Sequence, residues 1–323
     1  MKEAAFILTG EYNTAVSISS RVLLICVMSA GMFGQATVEP RAKAAAKQEE
    51  RVRPDIRVDS TLVLIPVQVT DGLGRPVTGL EQQDFRVVDD KAPQTITSFA
   101  MEDGPIAVGV VFDRSGSMAT GIPLSRRTVS EFFRSANPED EFFLVEFAGS
   151  PKLIVPLGSD NSGDIQNRVG YSKPQGSTAM FDAVYMALNE MHKSKKQRKA
   201  LLLITDGGDN HSRYTEAEVR SAIRESDVMI YTIGVDADYG EERMLASLSE
   251  NTGGRYFTAG FHDLPDIAQK VGIDLRNRYI LGYTPTNRER DGRYHRVEVK
   301  VVPPAGLPPL KAFWRVGYYA PMQ

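Results

Sequence analysis

Cysteine is all but missing from this chain: among 323 residues there is one, Cys26. A lone thiol excludes an internal disulfide and leaves no thiolate set for a zinc site. Histidine is nearly as scarce, with four residues scattered at His192, His211, His262 and His295. None has the spacing of a catalytic triad, so a hydrolase would lack an evident base. Charge of one sign is not in surplus either, since 38 Lys and Arg stand against 41 Asp and Glu for a net charge of −3. That balance gives no electrostatic reason to expect nucleic acid as a partner. Long apolar runs are absent as well. The run at residues 22–33 falls short of the roughly 20 residues a spanning helix needs, so no stable membrane span is expected.

What that run does fit is an export signal. Arg21 precedes it and Gly34-Gln35-Ala36 follows it, which gives a basic residue, a short apolar stretch and small residues before a cut after Ala36. Residues 1–36 are therefore read as a signal peptide, and the protein as exported to the periplasm, the cell envelope or the medium. Cys26 would leave with the signal. Leu24-Ile25 ahead of it lacks the small residue that precedes a lipidated cysteine. Residues 37–54, polar and alanine-rich, read as a linker.

The hydrophobic content of 42% is ample for a packed core. Two kinds of pattern share it. Residues 55–100 carry short β-rich runs at 61–70, 85–89 and 94–99, broken by turns such as Asp71-Gly72-Leu73-Gly74. These are too few to close a sandwich. The far end, residues 279–323, supplies the missing strands, among them an alternating run at 295–302 and an aromatic one at 313–319. Both chain ends are thus expected to build one β-sandwich module, with residues 105–278 inserted between them. In that central part strands at 108–113, 141–147, 152–156, 199–204, 228–235 and 255–258 alternate with helices at 124–136, 180–191, 216–225, 242–251 and 264–278. Alternation of this kind implies an α/β, Rossmann-like doubly wound and mostly parallel sheet covered on both faces. Pro156 marks the 152–156 strand as an edge.

The central domain is organised around the apolar run ending in Asp113-Arg114-Ser115-Gly116-Ser117. In open α/β sheets ligands sit at the C-terminal ends of the strands. Asp113, Ser115 and Ser117 alternate, so three oxygens are able to meet at one point, and hard oxygens suit Mg²⁺ or Mn²⁺ better than zinc. The same residues are also ordinary turn and capping chemistry, and alone the loop is read first as that. Two further loops fall at the same sheet edge, one with Thr178 in Gly176-Ser177-Thr178-Ala179, the other with Asp206 after Thr205.

With these three elements in order, the chain resembles the von Willebrand factor type A domain. The match is to its metal-ion-dependent adhesion site, with Asp113, Ser115, Ser117, Thr178 and Asp206 at all five positions. The resemblance implies a divalent cation, Mg²⁺ first and Mn²⁺ or Ca²⁺ as alternatives, with a protein or peptide partner supplying an Asp or Glu carboxylate. The segment 275–283 and the terminal 315–321 further resemble acidobacterial von Willebrand factor A-related proteins. Asp182 reads either as a second acceptor behind the ion or as a helix-dipole residue, and Asp209 either as a residue reaching the site or as a turn former. Other readings are a structural envelope component whose metal only stabilises loops, and a metal-assisted hydrolase. Against the last, Ser115 and Ser117 do not lie in a Gly-x-Ser-x-Gly elbow.

Overall fold

A computed structural model describes residues 62–322 apart from Gly121, Gly170 and Ser172. The expected signal peptide and linker lie outside the described residues. The chain first forms β1 (Val63–Thr70), β2 (Phe85–Asp89), β3 (Ala92–Gln94) and β4 (Ile96–Glu102). It continues through β5 (Ile106–Asp113), α1 (Ile122–Phe133), β6 (Glu141–Phe147), β7 (Pro151–Gly158), α2 (Ser162–Val169) and α3 (Met180–Met191). Then come β8 (Arg198–Thr205), α4 (Glu216–Glu225), β9 (Met229–Val235), α5 (Tyr239–Ser249), β10 (Tyr256–Ala259) and α6 (Leu264–Arg276). The last strands are β11 (Arg278–Tyr283), β12 (Tyr294–Val301), β13 (Lys311–Trp314) and β14 (Gly317–Tyr319).

The central sheet has six strands in the order β10-β9-β8-β5-β6-β7. All neighbours run parallel except β7, which pairs antiparallel with β6 at the edge. Pro156, which lacks an N–H, has no pairing partner in that ladder. All eight residues of β5 are buried, as continuous Val and Phe runs must be when helices cover both faces. Ile106, Val108, Val110 and Phe112 pack against α1 and α6, while Ala107 and Val111 pack against α3. Gly109 is the one position in β5 where a side chain has no room, since an added Cβ would lie 2.1 Å from the Phe143 ring and 2.6 Å from Leu201.

Two antiparallel sheets of four strands flank this core, ordered β13-β1-β11-β4 and β14-β12-β2-β3. Each draws strands from both ends of the sequence, and together they form a sandwich-like module. Val63, Ile65, Val67 and Val69 of β1 with Tyr279, Leu281 and Tyr283 of β11 share one core with Phe85, Val87, Val297 and Val299. The inward alternation of β12 is complete through Val299.

Some elements depart from the sequence reading. The helix α2 occupies a stretch that offered only Ile165 and Val169 as buried apolar residues, too few to show a helical period. The helix α5 begins at Tyr239 rather than 242 because Asp238 caps it: its carboxylate accepts the Glu241 N–H and the Glu241 side chain returns to the Asp238 N–H. Among the described residues no helix is long and apolar enough to cross a membrane.

Candidate metal-binding site

The β5 strand delivers Asp113 to the C-terminal edge of the central sheet, next to the end of β8. Pairing of Phe112 with Ile204 sets Asp113 beside Thr205 and brings Asp206 to the same edge. Asp113 is fully buried, and each carboxylate oxygen is claimed by a donor. The Ser115 N–H donates to Oδ1 at 2.7 Å and the Thr205 hydroxyl to Oδ2 at 2.7 Å. Thr205 in turn accepts the Gly207 N–H at 3.1 Å. The hydroxyls of Ser115 and Ser117 lie 3.1 Å apart, with Ser115 buried and Ser117 exposed.

The Thr178 loop is stitched to both neighbours. The Gly116 N–H donates to the Gly176 carbonyl at 3.3 Å, and the Gln175 N–H to the Arg114 carbonyl at 2.9 Å. Gly176 makes its turn at φ +84°, a conformation in which a side chain is strained. On the other side the Asn210 side chain accepts the Thr178 N–H at 2.9 Å, and the Asn210 and His211 N–H groups donate to the Thr178 carbonyl, both at 3.0 Å. Thr178 itself is buried and Asp206 half-buried.

Asp182 and Asp209 serve the backbone of the loop after β8. The Asp182 Oδ1 accepts the Arg213 and Tyr214 N–H groups at 2.9 and 3.0 Å. Asp209 Oδ2 accepts the Phe181 N–H at 3.1 Å and the Ser212 hydroxyl at 2.6 Å. Both therefore fix α3 to the Asp206 loop. Sequence reasoning gave no role to Thr205, directly before Asp206, and read Asn210, like Asp209, either as reaching the ion or the partner or as a turn former. The Thr205 hydroxyl was the available signal.

Burial pushes the Asp113 carboxyl up to about 6; the Ser115 N–H and the Thr205 hydroxyl pull it down, and the neighbouring Asp206 charge adds to the rise. Two carboxylates and two serine hydroxyls at one edge form an all-oxygen donor set whose internal repulsion a divalent cation would relieve. The residues fit such an ion. No nucleophile–base pair accompanies them among the described residues: His211 is exposed and meets Thr178 through its backbone N–H.

A second group able to hold a divalent cation lies in the sandwich module. Asp89, Asp90 and His295 each offer a ligand atom, all within 4.8 Å of one another. Sequence reasoning missed it, because residues 89 and 295 meet only once β2 pairs with β12. The available signal was an imidazole at an inward position of the alternating strand.

The chain belongs to the von Willebrand factor type A domain family, whose model matches residues 108–270. It is 23% identical to inter-alpha-trypsin inhibitor heavy chain H4 of Bos taurus over 220 residues, which are 62% of this chain and 23% of that one. It spans less than a quarter of the length of the curated relatives it matches. Among solved structures, a von Willebrand factor type A protein from Catenulispora acidiphila is 14% identical with a TM-score of 0.49, covering 81% of this chain and 73% of that one. Proximal thread matrix protein 1 from the mussel byssus, solved with zinc in its MIDAS motif, is 21% identical with a TM-score of 0.48, covering 58% and 49%.

Proposed function

We propose that this protein is a divalent-cation-dependent binding module of an exported protein, in which an ion held by the Asp113, Thr178 and Asp206 loops recruits a carboxylate from a protein or peptide partner. The observation that carries the reading is Asp113 itself. Its buried carboxylate is aligned by Ser115 and Thr205, abuts two facing serine hydroxyls and feels the charge of Asp206. Ser115, Ser117 and Thr178 would supply neutral oxygens, and Asp113 and Asp206 the charge, with Asp182 and Asp209 holding the loops. Mg²⁺ is the ion best matched to hard oxygens that leave room for water. Asp113 and Asp206 balance the ion's formal charge, but the Asp113 oxygens are shared with Ser115 and Thr205 and the other proposed ligands are neutral hydroxyls. An open coordination position would therefore take an anionic oxygen, and partner and ion would tighten each other's binding by the same factor.

The wider assignment follows the same reading. Residues 105–278 form the binding domain, residues 55–100 and 279–323 its supporting module, and residues 1–36 direct export to the periplasm, envelope or medium. The segments at 275–283 and 315–321 ally the chain with acidobacterial von Willebrand factor A-related proteins. Immobilised protein, incubated with envelope proteins in Mg²⁺ or in chelator and compared with Asp113→Ala, tests the function. Partners retained only by the wild type in Mg²⁺ support it. Partners retained equally by all three samples, or a cation that raises stability while nothing is retained, leave the metal a structural role and refute it.

A further inference from the structure

We propose that the sandwich module carries a second metal site, built by Asp89, Asp90 and His295 and suited to a transition-metal ion of the zinc class. It stands apart from the Asp113 loops and does not depend on the function assigned to them. The β2 strand ends at Asp89 and turns through Asp90 and Lys91, both at positive φ, 45° and 71°. Antiparallel pairing sets Asp89 opposite Val297. The Asp90 N–H donates to the Arg296 carbonyl at 2.9 Å, and the Arg296 N–H returns to Asp90 Oδ1 at 2.9 Å. The remaining Asp90 oxygen, Oδ2, lies 2.8 Å from Nδ1 of His295.

Two buried atoms at this place have no hydrogen-bond partner. One is Oδ1 of Asp89, a residue only 5% exposed; the other is Nε2 of His295, also 5% exposed. An unpaired buried polar atom costs about 1–3 kcal/mol, a cost that an ion on Asp89 Oδ1 would relieve; His295 would ligate through Nδ1, the nitrogen that faces Asp90, and leave Nε2 toward Asp291. The other Asp89 oxygen is doubly engaged, accepting the Tyr283 hydroxyl at 3.0 Å and the Tyr318 hydroxyl at 2.9 Å. Such partners orient a ligating carboxylate and leave its second oxygen to the ion. Burial, together with the Asp89 charge, pushes both phenols above their ordinary range, which keeps them as donors. Asp291 places a third carboxylate 3.7 Å from His295 Nε2, itself paired with Arg293 at 3.4 Å.

One imidazole nitrogen with two carboxylates selects zinc-class ions over Mg²⁺ or Ca²⁺, which prefer oxygen alone, and leaves a fourth position to water. The ion would clip Asp89 to His295, 206 positions further along the chain. A chain whose one cysteine is Cys26 has no disulfide for that task, and closing so long a loop removes much freedom from the unfolded state.

The test uses the full chain carrying Asp113→Ala, stripped with chelator and titrated with ZnCl₂ by calorimetry and thermal melts. A single equivalent of Zn²⁺ is expected to bind and raise Tm, with Mg²⁺ unable to compete. His295→Ala should abolish binding, and Tyr318→Phe should weaken it about 10-fold. His295 is buried, so Asp90→Asn at an exposed position provides the variant that folds regardless, and it too should weaken Zn²⁺. Nitrogen NMR of His295 should shift on Zn²⁺ addition. Absence of Zn²⁺ binding in the Asp113→Ala chain, or equal binding after Asp90→Asn and His295→Ala, would mean a plain His–Asp ion pair and overturn the proposal. Loss of partner capture with Zn²⁺ binding intact would refute only the function proposed for the Asp113 loops.

Discussion

Asp113 carries its charge where charge is costly. Burial lifts its carboxyl from the ordinary 3.8 to about 6, so between those values the folded chain binds the proton that the unfolded chain has already released. Stability of the metal-free protein therefore falls as pH rises through that window, by on the order of 3 kcal/mol for a rise of this size. Two outcomes follow. In chelator at pH 7.5, Asp113→Asn should melt above the wild type, and the gap should close as pH drops toward 4. Mg²⁺ should raise the wild-type Tm at pH 7.5, do so much less at pH 5, and leave Asp113→Asn unmoved. Scanning calorimetry across pH, with and without Mg²⁺, checks both.

The elements around the site are tuned by close packing and by backbone donors. Gly109→Ala would drive a methyl into Phe143 and Leu201 at the centre of the sheet, and overpacking of this kind costs about 1–3 kcal/mol. Asp182→Ala would leave the Arg213 and Tyr214 N–H groups without their acceptor, a loss of about 1–3 kcal/mol. The ion pair with Arg213 adds little to that figure, since the arginine side chain is 86% exposed. Urea unfolding measures both, and a change below about 0.5 kcal/mol in either would show that these contacts are not what holds the loop. The same elements explain what could be read in advance. Buried strands such as β5 and β8 announce themselves by unbroken apolar runs, and their polar ends at Asp113 and Asp206 are local in sequence. The helix α2, with only Ile165 and Val169 buried, writes no period. Asp89 and His295 become neighbours through strand order alone, which no local pattern encodes.

At the scale of the whole molecule, the sandwich exists only because distant strands return to one another. Trp314 donates its Nε1–H to the Val297 carbonyl at 2.8 Å, and Tyr318 reaches Asp89. Truncation after residue 310 would remove β13 and β14, uncover Val67, Val69 and Val297, and should lower Tm and induce binding of a hydrophobic dye. The module also meets the central sheet, where the Tyr231 hydroxyl donates to Gln68 at 3.1 Å and the Arg255 guanidinium lies 4.7 Å from the Phe313 ring. This support meets the sheet away from the strand ends that carry the Asp113 loops, where the proposed partner would bind. The most direct test of that account is Mn²⁺ titration followed by water-proton relaxation, with Asp90→Asn in every sample to weaken the sandwich site. The account predicts one Mn²⁺ bound by the chain with Asp113 intact, tightened by a glutamate-bearing peptide, and lost on Asp113→Ala; equal Mn²⁺ binding with and without Asp113 would contradict it.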